Sequence, residues 1–433
     1  MKLFFTINMF VLLTFIKISH AQMDHSQHMQ DSSAKTMRKY PMTVDDCADN
    51  EYFEWTMSMC MPLPTENMKM AMVVGNVFLV GFNGEGPRAK PKLSSPNMFM
   101  LNVGRTVNDH YLNIDLMGTL EKWTFPDKGY PELLQIGETD ANGNPYLDTQ
   151  HPHSSPIMGL TLGDTIKLGD NKDHLRLFFA PRGAATEGPI AFMHRPTAFL
   201  NPDAPLGHHI GQDVGHITST VLGASLALGD NTYQLSTFNG KEPEPTKVDL
   251  PIGELNSQAA RVIRKFSPNL TAMASLAYVK DPEGQHQDDS RDHQWRSSAS
   301  AYSTHELKGW KLYNSLIYGN VSNYESAPSL SSIVQEFLLS QNSKNIWTRV
   351  EFVERTARQL QISSVPQQDD PAWVTGLTIG YTHFVKKFEN SNFGVGTSVT
   401  KNFLPSQFEN AYEGDPWSMR VFIEARGIKT WHF

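Results

Sequence analysis

Cysteine is almost absent from this sequence, with Cys47 and Cys60 the only two in 433 residues. That excludes a disulfide-dense scaffold and any domain built on several cysteine ligands. Excess positive charge is absent too. Lys and Arg number 37 against 45 Asp and Glu, for a formal net charge of −8, and no basic run breaks the balance. Nucleic acid is therefore not an expected partner. After residue 21 no stretch reaches the roughly 18 apolar residues of a spanning helix. The chain is 39% hydrophobic and 19% charged, and its mean hydropathy is −0.38. These values exclude a helical membrane bundle but not a membrane β-barrel, in which only alternate residues face lipid. Catalytic signatures are missing as well. There is no G-x-S-x-G, HExxH, P-loop or dinucleotide fingerprint.

What is present begins with an address. Residues 1–21, MKLFFTINMFVLLTFIKISHA, join Lys2, a mainly apolar run from Leu3 to Ile16 and a small-x-small motif at Ser19-His20-Ala21. This reads as a secretory signal peptide, and its short core argues against a retained membrane helix. The expectation is export into a bacterial envelope. In that oxidising setting Cys47 and Cys60 should form one disulfide, with a thiolate copper site as the alternative.

Methionine is biased toward one region. Residues 22–100 hold 12 of the 19 methionines. The expected mature start, QMDHSQHMQ, sets Met23, His25, His28 and Met29 within seven residues, and Met57, Met59 and Met61 flank Cys60. Thioether and imidazole groups are the ligands a soft metal prefers. Residues 22–72 are thus expected to be a mostly disordered, Met/His-rich periplasmic arm that binds copper. The competing reading is an inert polar terminus.

From about residue 73 the apolar pattern has a period of two. Leu112, Ile114 and Leu116 share one face of a strand, with Asn113 and Asp115 on the other. Ile346, Val350 and Phe352 oppose Arg349, Glu351 and Arg355. Fifteen such segments are found between Val73 and Phe433, separated mostly by Gly, Pro, Asn and Asp. Each is near the roughly 9–11 residues of a tilted transmembrane strand. The last segment, SMRVFIEARGIKTWHF, puts Val421, Ile423, Ala425, Trp431 and Phe433 on one face and Arg420, Glu424 and Arg426 on the other. A closing strand with a terminal aromatic resembles those that the barrel-assembly machinery recognises. The expected fold is all-β: a transmembrane outer-membrane β-barrel of about 14 antiparallel strands, range 12–16, closed because lipid offers no partner to a free sheet edge. A secreted sandwich or propeller is the competing reading.

Two long polar stretches, 121–172 and 180–215, interrupt the rhythm and are expected to be extracellular loops or lumen plugs. They carry the densest histidines: His151 and His153 in the first, then His194, His208, His209, Asp213 and, just beyond, His216. Imidazole and carboxylate suit copper, zinc or similar divalent ions, but no zinc-type spacing is present. The alternative is that these groups only hydrogen-bond a plug in place.

The stretches QHPHSSPIMGLTLGD, LFFAPRG, ATEGPIAFMHRPTAF, NPDAPLGHHIGQDVGHI, EPEPTKVDLPIG and DPWSMRVF resemble an uncharacterised family of exported bacterial proteins often found beside copper-efflux and copper-resistance genes. The resemblance runs from about Cys47 to Phe433. It implies a link to copper and no particular activity. The expectation is a barrel in the outer-membrane lipid bilayer, serving as a channel or metal-handling protein with copper as its ion. A metal-dependent enzyme at the His151/His194/His208 region and a purely structural barrel stand as alternatives.

Overall fold

The structure is a computed structural model that describes residues 39–433, apart from 66, 127, 140–143, 154, 170, 242, 244–246, 281, 283–292 and 324–327. The signal segment and Met23, His25, His28 and Met29 lie outside the described residues. A small hairpin, β1 (Glu51–Glu54) and β2 (Met59–Pro62), precedes the wall. The wall opens with β3 (Lys69–Gly84), which pairs with β4 (Lys92–Ser94) through Val80–Phe82 and with β5 (Asn97–Val107) through Lys69–Val77. A break at Ser95-Pro96 separates β4 from β5, and the two together fill one strand position. Then come β6 (His110–Gly118), an inner hairpin of β7 (Tyr130–Thr139) and β8 (Pro145–Gln150), and the wall strands β9 (Ile157–Lys167), β10 (His174–Gly183) and β11 (Thr218–Leu228). Ten more wall strands follow, ending at Trp417–His432, which closes the ring on β3 in antiparallel register from Ser418↔Gly84 to His432↔Met70.

The result is a closed antiparallel barrel of 16 strand positions. The count lies at the top of the expected range, above its centre of 14. All fifteen expected segments are wall strands, and the one missed is β9. Its sequence, IMGLTLGDTIK, has two glycines and follows His-Pro-His-Ser-Ser-Pro, so turn residues hid a strand inside the stretch read as loop 121–172. Similarly, β10 runs on to Gly183, into the expected loop 180–215.

Alternation does on this wall what a pleated strand dictates. Ile114 is 51% exposed and Val421 57% exposed on the outside, while Asn113, Arg420 and Glu424 are buried on the inside. An apolar exterior with polar groups turned inward is what a barrel surrounded by lipid requires.

The two ends of the barrel differ. Tight turns join strands at Val107–His110, Leu228–Asn231, Ser267–Leu270, Leu307–Trp310 and Gln341–Lys344. Long connections leave the other end, among them 119–156, 184–217 and 356–371. Lys69 and Phe433 meet at the tight-turn end through a 3.1 Å backbone bond from the Phe433 amide to the Lys69 carbonyl.

The lumen is filled rather than open, and here the expected arm needs correction. Residues 40–63 are not a disordered tail. Met42, Tyr52, Met59, Cys60, Met61 and Leu63 are buried against the inner wall, Cys47 is joined to Cys60, and the first wall strand starts at Lys69 rather than 73. The Tyr52 hydroxyl meets the Thr165 hydroxyl at 3.1 Å, and Lys172 Nζ donates to the Ala48 carbonyl at 2.8 Å. Average polarity concealed this because the apolar groups are thioethers and aromatics spaced among acidic residues.

Buried charge fastens the long connections. Glu336 accepts from Arg195 at 2.7 and 3.0 Å and from Arg349 at 3.0 Å. Arg296 meets Glu187 at 3.0 Å, and Arg420 meets Asp203 at 2.5 Å. The pairs made by Arg195, Glu187 and Asp203 tie segment 184–217 to wall strands, so the segment crosses the lumen along a fixed course.

Candidate metal centre

Segments 151–156 and 184–217 converge inside the barrel. His151 and His153 sit just after β8, held near the wall because β9 resumes at Ile157. His208 and His209 lie at a kinked turn of the second segment, where Gly211 takes φ +66° and Gly207 packs on Gln212 and Ser332. A β-carbon at Gly211 would stand 2.5 Å from the Asn320 backbone nitrogen, so only glycine permits this close approach to the wall. His216 follows in the short turn that leads into β11.

Five of the predicted histidines come together. The candidate ligand atoms of His151, His208 and His209 all lie within 4.8 Å of one another. Ring centroids are 4.6 Å apart for His208 and His209, 5.0 Å for His208 and His216, and 5.3 Å for His151 and His209. His153 joins through His216, Nε2 to Nε2 at 3.1 Å. Asp213 stands below, with Oδ2 3.5 Å from His208 Nδ1 and Oδ1 4.0 Å from His216 Nδ1.

The outer partners fix the rings. Nδ1 of His153 faces Glu121 Oε2 at 2.7 Å, and the same oxygen accepts the His153 amide at 3.1 Å. Nδ1 of His216 faces the Asp213 carbonyl oxygen. A carbonyl can only accept, so His216 carries its proton on Nδ1, and a carboxylate assigns His153 the same tautomer. With both rings in the neutral form, the two Nε2 atoms present lone pairs toward one another. Two lone pairs at that spacing repel, and a cation between them removes the repulsion. Carboxylate or carbonyl behind imidazole is also the usual outer arrangement of metal-binding histidine.

Burial keeps the His151, His209 and His216 rings neutral. Burial pushes His216 down to about 3, an effect that Asp213 only partly opposes. Burial and then the neighbouring rings hold His151 and His209 well below the ordinary histidine value. Burial would raise Asp213, but His216 and His208 keep it below the usual carboxylate range. Neutral imidazoles beside an ionised carboxylate form a ligand set for a cation.

His194 does not join the five. Its Nδ1 pairs with the Tyr40 hydroxyl, and burial lowers it to about 4. It lines a neighbouring cavity of about 90 Å³ with Met57, Met59, Met61, Asp213 and His216. Sequence reading overlooked Glu121. It lies 32 residues before His153 on a one-turn helix, Glu121–Thr124, and nothing in its local pattern marks it. It also gave no role to Met117 and Met158 on the wall of the same cavity.

No family model matches the sequence, and no curated protein matches it. Solved structures do resemble the fold. An anion-selective porin from Comamonas acidovorans superposes with a TM-score of 0.50 at 12% identity, covering 83% of this chain and 99% of the porin. The loop-L8 deletion mutant of OmpT, an outer membrane protein of Vibrio cholerae, gives 0.47 at 10% identity, covering 83% and 99%. The fold is that of an outer-membrane β-barrel, and the lipid-facing exterior described above locates the chain in that membrane.

Proposed function

We propose that this outer-membrane barrel handles copper, binding the ion inside its lumen at the centre formed by His151, His153, His208, His209 and His216. The observation that carries the reading is the facing pair of Nε2 atoms, 3.1 Å apart, on rings whose Nδ1 protons are committed to Glu121 and Asp213. Imidazole suits copper in both oxidation states. The resemblance to exported proteins found beside copper-resistance genes points the same way. The lumen is crossed by three chain segments, which favours selective handling of a small ion over general diffusion.

In this reading the tight-turn end faces the periplasm, as in barrels of this type. Met23, His25, His28 and Met29 then capture copper before it enters.

The test is metal analysis of the full-length protein purified in detergent, followed by Cu(II) titration with electron paramagnetic resonance. The expected result is copper bound with nitrogen hyperfine structure, lost in His153→Gln/His216→Gln. A native protein with no copper and no nitrogen-coordinated Cu(II) signal would end the proposal.

A further inference from the structure

Methionine is not the general filler of this lumen. The cluster built on Leu206, Ile210 and Val353 contains no buried methionine, nor does the aromatic cluster of Phe78, Trp347 and Phe422. The cluster between the β1–β2 hairpin and the wall from β3 to β9 contains nine. Leucine fills space as well and specifies a core better, so packing alone does not explain the concentration.

The register arranges these side chains in order. Met70 and Met72 share the inner face of β3, two residues and about 7 Å apart. Met100 pairs with Val74, one inward-facing step beyond Met72, so it is diagonal to Met72 at about 7–8 Å. Met117 is directly opposite Met100, at a β-carbon spacing of about 4.5–5.5 Å. Met117, Met158 and Met59 then line the cavity shared with His194 and His216. A continuous column of thioethers thus runs from the tight-turn mouth to the edge of the histidine centre.

We propose that this column binds and conducts a soft monovalent metal ion, Cu(I) or Ag(I), between that mouth and the histidine centre. Thioether sulfur is a neutral, soft ligand, so it favours Cu(I) and Ag(I) over Mg²⁺ or Ca²⁺. Flexible methionines can hand an ion over gaps of this size by changing rotamer. Asp115 lines the same cavity and offsets the positive charge of an arriving ion, although Arg176 pairs with it at 3.1 Å. The ion keeps its oxidation state throughout. The destination rests on the reading of the histidines as a metal centre; the thioether site does not.

The experiment uses the full chain in detergent, with Met23→Leu and Met29→Leu in every sample so that the terminal segment contributes no sulfur. Ag(I) is titrated against a competing chelator, and X-ray absorption reports the atoms around bound silver. The reference should bind Ag(I) with a sulfur shell. Adding Met59→Leu, Met117→Leu and Met158→Leu, volume-conserving swaps that cores tolerate, should weaken binding at least tenfold while Cu(II) binding at the histidines is unchanged. Unchanged Ag(I) affinity and an unchanged sulfur shell would overturn the proposal. If the triple variant fails the heat-modified mobility check for a folded barrel, Met117→Leu and Met158→Leu are read singly. Each should then weaken Ag(I) at least threefold, and native affinity in both would overturn the proposal. His153→Gln/His216→Gln should retain sulfur-bound Ag(I). If it also retains Cu(II), the histidine reading fails while the methionine site stands.

Discussion

Nε2 of His153 stands 3.1 Å from Nε2 of His216, and each ring is held from behind by an oxygen acceptor. Because Glu121 fixes the first ring, it should matter without touching the ion. Glu121→Gln should weaken Cu(II) binding about 10–100-fold, the usual cost of losing an outer partner. His153→Gln should cost more. Competitive titration against a chromophoric chelator measures both, and native affinity in Glu121→Gln would rule out its positioning role.

Acid should destabilise the metal-free protein. Burial lowers His216 to about 3 and His194 to about 4, while the unfolded chain protonates both near the ordinary value. Between that value and the lowered ones, the unfolded state binds protons that the folded state refuses. Their contribution is present above about 6.5 and is lost as pH falls through the window toward 4 and 3. Melting of metal-free protein in detergent should drop from pH 7.5 to pH 4.5, with a shallower slope in His216→Gln. Equal slopes would show that His216 does not titrate as argued.

The exterior gives a test of the membrane reading. Val421 lies on the lipid side of the closing strand, opposite Gly81. Val421→Arg should cost up to about 2–4 kcal/mol, depending on depth in the bilayer. Folding yield into lipid vesicles against urea measures it. A cost no larger than that of a surface substitution in a soluble protein would contradict burial of this face in lipid.

How far these features could be read from sequence depends on whether they are local. Wall strands such as Asn345–Arg355 announce themselves because lipid and lumen impose a strict alternation. β9 did not, since its glycines and the preceding prolines imitate a loop. The histidines could be named from sequence because five of them fall in two short stretches, but their convergence could not. It depends on Gly211 lying against Asn320 and on Arg195 reaching Glu336, contacts between residues more than a hundred positions apart. The folding of residues 40–63 was hidden for a similar reason. Their partners, Met70, Met100 and Met117, belong to strands whose inner faces looked like an unexplained methionine bias.

The Glu336 network should couple barrel stability to the metal centre. One carboxylate accepts from Arg195 and Arg349 and also from the Thr197 and Ser315 hydroxyls, at 2.8 and 3.0 Å. All five side chains are buried or nearly so. Glu336→Ala would leave two guanidinium groups facing each other without a counter-charge, a change that typically costs about 3–5 kcal/mol. Glu336→Gln keeps an acceptor and should cost less. Arg195 anchors the segment carrying His208, His209 and His216, so loosening it should also scatter those rings. The expected result is a lower urea midpoint and weaker Cu(II) binding in Glu336→Ala, with Glu336→Gln between it and the native protein in both. A variant that loses stability yet binds Cu(II) at native strength would show that the histidines are held without this anchor.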